Sequence, residues 1–188
     1  ARYHEMFDAL HNAGIVPVVT VNHYTLPLWI HDGIACRTDP ECEAAGWASD
    51  RIVPHIARFS GFLGREYGAD IDLWATQNEP FANTLAGYVQ PGEFRVHPPG
   101  RTFDGPAAVA SIFHQIEAHA AMYDALHTED IDDADDDGTS ASVGTVLNVV
   151  AVEPRDPDST ADQVAAAHLD YVYHRVYLDA VTAGAWDD

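Results

Sequence analysis

Ile71-Asp72-Leu73-Trp74-Ala75-Thr76-Gln77-Asn78-Glu79-Pro80 is the stretch on which the reading of this chain turns. The mainly apolar run from Ile71 to Thr76 predicts a buried parallel strand, and Pro80 ends it, because a proline restricts the backbone of the residue before it. Asn78 and Glu79 then stand side by side at a strand's carboxyl end. In α/β folds, barrels above all, that rim gathers catalytic groups.

Toward the amino terminus, Asp50 is placed to cap a helix whose Ile52, Ile56, Phe59, Leu63 and Tyr67 share one face, with Gly68 as its stop. Before it lie a long polar loop, Asp32 to Ser49, and a β-branched run, Ile15 to Val21, that reads as a strand covered on both faces. Tyr3, Phe7 and Leu10 recur at helical spacing ahead of Gly14. On the carboxyl side, Phe81 to Thr102 reads as a loop. Pro106 then opens a helix with Val109, Ile112, Phe113, Ile116 and Met122 facing inward. Val143 to Val150 supplies a third strand, and Thr160 to Ala183 one last amphipathic helix carrying Val164, Leu169, Val172, Val176 and Leu178.

Strands alternating with helices imply parallel βα units with right-handed crossovers. Three such strands leave two unpaired edges, and the long loops all follow strands, as on the active rim of a barrel. The 188 residues fall short of the ~250 of a complete (β/α)8 barrel. The expectation is one partial barrel domain over residues 1–188, cut at both ends, since the chain opens on Ala1 and stops at Trp186-Asp187-Asp188.

Thirty acidic residues face nine basic ones, all arginine, for a formal net charge of -21. Such a surface repels polyanions, so nucleic acid is not an expected partner. Self-repulsion of this size is relieved at ~1 M salt, where the screening length falls to ~3 Å, and the composition points to a high-salt cytoplasm while leaving export open. No apolar run reaches the ~18 to 20 residues of a membrane span. Cys36 and Cys42 read as free thiols or a local disulfide, because two sulfurs alone cannot complete a zinc site. Asp133-x-Asp135-x-Asp137-Gly138 opens like a calcium loop, but Gly144 stands where the bidentate Glu belongs, so a solvated acidic loop is the reading.

Glu79 has the chemistry of a general acid and base, although a Glu before a proline is also an ordinary turn residue. Asn78 can donate to a substrate hydroxyl or simply close a turn. His23 follows the first strand, where an imidazole binds a hydroxyl or serves packing. Tyr24 and Trp29 can stack on a sugar or belong to a core. His119, in mid-helix, reads as structural.

Taken together, Val19 to Asp32 (Val-Thr-Val-Asn-His-Tyr-Thr-Leu-Pro-Leu-Trp-Ile-His-Asp), Gly46-Trp47, Trp74 to Pro80, Gly87-Tyr88, Pro98-Pro99-Gly100 and Ala118-His119-Ala120 resemble the family 1 glycoside hydrolases, the β-glucosidase and β-galactosidase group, especially its archaeal members. The resemblance implies a (β/α)8 TIM barrel of which this chain holds about strands 3 to 5, ending at Asn22, Asn78 and Asn148. It implies Glu79 as acid/base, Asn78 as partner of the sugar's 2-hydroxyl and His23 as a glycone-binding residue. Tyr24 stands where many members have Trp, and Asn148 is a further rim candidate. It also implies a carbohydrate substrate and no cofactor or metal. The family's nucleophile, a Glu in a Thr-Glu-Asn-Gly-like segment, has no counterpart here. The expected function is thus that of a retaining β-glycosidase for terminal glucose- or galactose-type sugars, with this chain inactive alone; a non-catalytic carbohydrate-binding or scaffold relative is the alternative. Oligomeric state is left open.

Overall fold

Pro17 sets where the sheet begins. Lacking an N–H it cannot join a ladder, so β1 runs only over Val18–Asn22 and leaves Ile15 and Val16 outside it, exposed. The computed structural model describes residues 2–39, 41–93 and 96–185; the terminal Ala1 and Trp186-Asp187-Asp188 fall outside them. The chain divides into two units, residues 1–146 and 147–188.

In the first unit α1 (Arg2–Asn12) precedes β1, α2 (Ile52–Tyr67) precedes β2 (Leu73–Asn78), and α4 (Gly105–Glu129) precedes β3 (Ser142–Val146). The three strands form one parallel sheet in the order β1-β2-β3, with Val18 opposite Leu73 and Leu73 opposite Ser142. The segment read as a loop from Phe81 contains a short helix, α3 (Pro80–Thr84), and a wide π-type turn over Leu85–Val89. Tyr88 anchors that turn: it is buried, and its hydroxyl donates to Ala45 O. Within Asp32 to Ser49, Cys36 and Cys42 form a disulfide.

Two expectations about helices need correction. Arg51, not Asp50, precedes α2, and no side chain caps it. On α4, Asp104 caps Ala107 N at 3.2 Å and Pro106 sits in the first turn as expected, but Val109 and Phe113 are exposed. Ala107, Ala108, Ser111, Gln115, Ile116, Ala118, Met122 and Leu126 form its buried face. Close approach of helix to helix favours small side chains; Gln115 donates through Nε2 to Thr84 Oγ1 at 2.9 Å, while its Oε1 has no hydrogen-bond partner among the described residues. Apolar periodicity cannot show a face built from alanine, serine and glutamine.

One core gathers Ile30, Trp47, Ile52, Ile56, Tyr88 and Met122; a second gathers Phe7, Ile71, Trp74, Leu126 and Ala141. Beside the second lies a buried carboxyl. Asp130, 1% exposed, accepts from Trp74 Nε1 at 2.7 Å through Oδ2, while Oδ1 has no hydrogen-bond partner among the described residues. Burial pushes this carboxyl up to about 6, with Asp72 and Asp132 adding to the rise. Gly68 makes room for it: a Cβ there would lie 2.0 Å from Asp130 Oδ1.

In the second unit, Ser159 caps α5 (Thr160–Asp170) by accepting from Asp162 N. The single helix expected to Ala183 is broken by a π-type turn, Tyr171–Arg175, before α6 (Val176–Ala183). Val164, Leu169, Val172 and Leu178 are exposed. His174 accepts from Val150 N at 3.1 Å and bonds Asp170 at 2.9 Å. Residues 147–150 are not strand, so the third strand ends at Val146 rather than Asn148.

Candidate active site

The pairing of β2 with β3 slips just before the rim. Ala75 faces Gly144 but Asn78 faces Val146, so three steps on β2 match two on β3. An extra residue of this kind bends a strand and re-aims the side chains beyond it. Glu79 comes next, with φ 46° and ψ 63°, in the left-handed region that costs a non-glycine residue about 1 kcal/mol. Its N–H donates to Val146 O at 2.8 Å, and Pro80 starts α3 at once, so the neighbours on both sides hold the turn.

From β1 the chain arrives in a similar state. Asn22 is buried and donates to Thr25 O at 3.1 Å, and Tyr24 has φ 70°. The Tyr24 hydroxyl donates to Glu79 Oε2 at 2.9 Å and accepts from Asn78 Nδ2 at 2.9 Å. Three of the residues singled out in the sequence therefore form one hydrogen-bonded chain, from amide to phenol to carboxylate. His23 flanks the Tyr24 ring edge-on with centroids 4.9 Å apart and is itself exposed. Asn148 lies two residues beyond β3, in the second unit.

His97 was not singled out. Its ring meets Tyr24 at 4.7 Å and 84°, and its Nδ1 lies 3.1 Å from Asn83 Oδ1. Burial lowers its pKa while the Glu79 charge opposes the fall. The signal was present, since His97 adjoins the Pro98-Pro99-Gly100 motif. His31 supports the same loop through Nε2 and Pro98 O, 2.6 Å apart, next to Gly46, where a Cβ would stand 2.7 Å from the His31 ring.

His119 is structural, as expected. Its Nδ1 lies 2.8 Å from Thr76 Oγ1, which also lies 3.2 Å from Gly144 O. Trp29 does not belong to the core: it is exposed, edge-on to His55 and beneath Arg51.

Two features lie apart from this arrangement. A groove of about 860 Å³ runs beside α2, lined by groups such as Leu26, Ile30, Ile56, Phe59 and Phe62, with no carboxylate among its lining residues to move a proton. Asp72, Asp133 and Asp135 bring carboxylate oxygens within 4.8 Å of one another. Backbone N–H groups of Ala134, Asp137 and Gly138 already donate to these carboxylates.

The family described as Glycosyl hydrolase family 1 matches residues 1–188. A β-galactosidase of Pyrococcus woesei is 32% identical over 98% of this chain and 36% of its own length. The human cytosolic β-glucosidase is 28% identical over 94% of this chain and 34% of its own. Among solved structures, the hyperthermophilic β-glucosidase from Pyrococcus furiosus has a TM-score of 0.75 at 27% identity, covering 91% of this chain and 34% of that one. Fpglu1 from Fervidobacterium pennivoraus reaches 0.82 at 26% identity, over 95% and 35%. The chain thus spans about a third of the length of the relatives it matches.

Proposed function

This chain belongs to glycosyl hydrolase family 1, and from that premise we propose that it contributes the acid/base half of the active site of a retaining β-glycosidase, acting on terminal glucose- or galactose-type sugars. The observation that carries the reading is the Glu79 carboxyl at the carboxyl end of β2, beside Asn78 and bonded to it through Tyr24. Sequence, barrel-type βα order and the names of the relatives all support it.

In the first step Glu79 protonates the oxygen of the departing group while a second carboxylate forms the glycosyl-enzyme; in the next, Glu79 takes a proton from the attacking water. Asn78 binds the sugar's 2-hydroxyl, and His23 another hydroxyl of the same ring. Asn148 is a further contact on this reading. Retention needs two carboxyls ~5 to 5.5 Å apart. The 188 residues contain no Thr-Glu-Asn-Gly-like segment to supply the second, so they hydrolyse no aryl β-glucoside above background by themselves.

In the full-length protein, Glu79→Gln is expected to cut kcat/KM by about 10²- to 10⁴-fold for alkyl glycosides, whose leaving group needs a proton. First-step cleavage of 2,4-dinitrophenyl glycosides, followed as the burst of phenolate, is expected to survive far better. Equal loss on both substrates would contradict the acid/base role. Adaptation to a high-salt cytoplasm is part of the same proposal, resting on the net charge of -21.

A further inference from the structure

The Tyr24 hydroxyl has one proton and it is committed. Asn78 Nδ2 has only hydrogens to offer, so at 2.9 Å the phenol oxygen is the acceptor there. Its own O–H then points to Glu79 Oε2, also at 2.9 Å. An oxygen that accepts this bond is the poorer place for the carboxyl's own proton, because protonation there leaves a weaker acceptor for the phenol. The ring that carries the hydroxyl is set between His23 and His97, both edge-on to it at 4.9 and 4.7 Å. Left-handed backbone at both Tyr24 and Glu79 aims the two side chains at each other.

We propose that Tyr24 is a positioning residue that reserves Glu79 Oε2 as an acceptor and so assigns the transferable proton to Oε1, coupling the acid/base to Asn78 through a single phenol. The inference rests on the acid/base reading of Glu79. It differs from the expectation that Tyr24 serves as a sugar-contacting ring. In the protonation half-reaction Oε1–H breaks as the leaving-group O–H forms, and Oε2, held by Tyr24, carries the larger share of the resulting carboxylate charge. In the return half-reaction Oε1 takes the proton of water. Charge on Oε2 strengthens the phenol's hydrogen bond as it develops, since hydrogen bonds to ions are roughly twice as strong as neutral ones.

Tyr24→Phe in the full-length protein removes the hydroxyl and leaves the ring. It is expected to lower kcat/KM about tenfold for alkyl glycosides and less than about twofold for the dinitrophenyl burst, since only the former draws on proton transfer. A merely structural tyrosine would lower both alike, and that result, or no loss on either, would overturn the inference. Glu79→Gln measured alongside separates the premises: if it spares alkyl glycosides, the acid/base reading falls, whereas a large Glu79→Gln effect with an even-handed Tyr24→Phe sinks only the role of Tyr24. A second arm needs no substitution. In proton NMR of the full-length protein, the Tyr24 hydroxyl is expected to exchange slowly and to show a nuclear Overhauser contact with the Asn78 side-chain amide. A fast-exchanging hydroxyl without that contact would also overturn it.

Discussion

Strand β2 has a carboxyl at either end, and the two are treated in opposite ways. Near its start, Asp130 is sealed from water against Trp74, has one oxygen without a partner among the described residues, and is pushed up to about 6 by burial. Past its finish, half-buried Glu79 sits on a left-handed backbone and is held through the side chains of Tyr24 and, beyond it, Asn78. The first arrangement fixes the contact of α2, α4 and β2; the second aims a functional group. In barrels the amino-terminal face of the strands carries stability and the carboxyl-terminal face chemistry, and on the proposed reading one strand here meets both duties, at Trp74 and at Glu79 five residues on.

The comparison breaks if the two ends exchange effects. Glu79→Gln should produce the largest change of all, a loss of about 10²-fold or more in alkyl glycoside hydrolysis, with a shift in stability under about 0.5 kcal/mol by chemical denaturation. A large loss of stability would mean that the rim is structural as well. Gly68→Ala should do the reverse. A Cβ 2.0 Å from Asp130 Oδ1 forces that side chain off Trp74, with a cost of about 1 to 3 kcal/mol in urea unfolding of this chain. An unchanged midpoint would show that Asp130 is not fixed in place.

Asp130 sharpens the contrast through pH. Its carboxyl in the fold titrates near about 6 against an ordinary 3.8, so folding favours the protonated form. That contribution is full below about 3.8 and is lost as pH rises through about 6, on the order of 1 to 2 kcal/mol after allowing for relaxation. Trp74 N–H and the Asp132 backbone N–H oppose the rise, and Asp72 and Asp132 charges reinforce it. Asp130→Asn should therefore flatten the stability profile of this chain between pH 4 and 6 relative to the unsubstituted chain; an unchanged slope would assign that pH dependence elsewhere. The smallest expected effect falls on the surface: raising KCl from dilute buffer to ~1 M should lift the melting temperature by a few degrees through screening of the net charge. A flat or falling melting temperature would remove the high-salt proposal.

The strands, the order of elements and the Asn78–Glu79 rim were legible because each rests on a local rule: a β-branched run, an apolar period, a proline that stops the element before it. Pro17 set a boundary later than the apolar run suggested, and Leu147 to Val150 looked like strand by composition but carry no ladder bonds. The features that stayed hidden depend on partners distant in sequence. The polar buried face of α4 bonds Thr84 and Gln77, His97 reaches Tyr24 across more than seventy residues, and the Tyr24 hydroxyl finds Glu79 from another strand. The family resemblance located Tyr24 as a rim residue, yet a hydroxyl's hydrogen bond follows from coordinates alone.

The left-handed backbone at Tyr24 and Glu79 bears on redesign. At each of these positions the local conformation favours glycine or asparagine, so a procedure that improves stability one residue at a time would replace both. It would gain about 1 kcal/mol or less at each and delete the proposed proton carrier together with the group proposed to orient it. Any effort to harden this protein therefore has to exempt two of the positions where its backbone looks in need of repair.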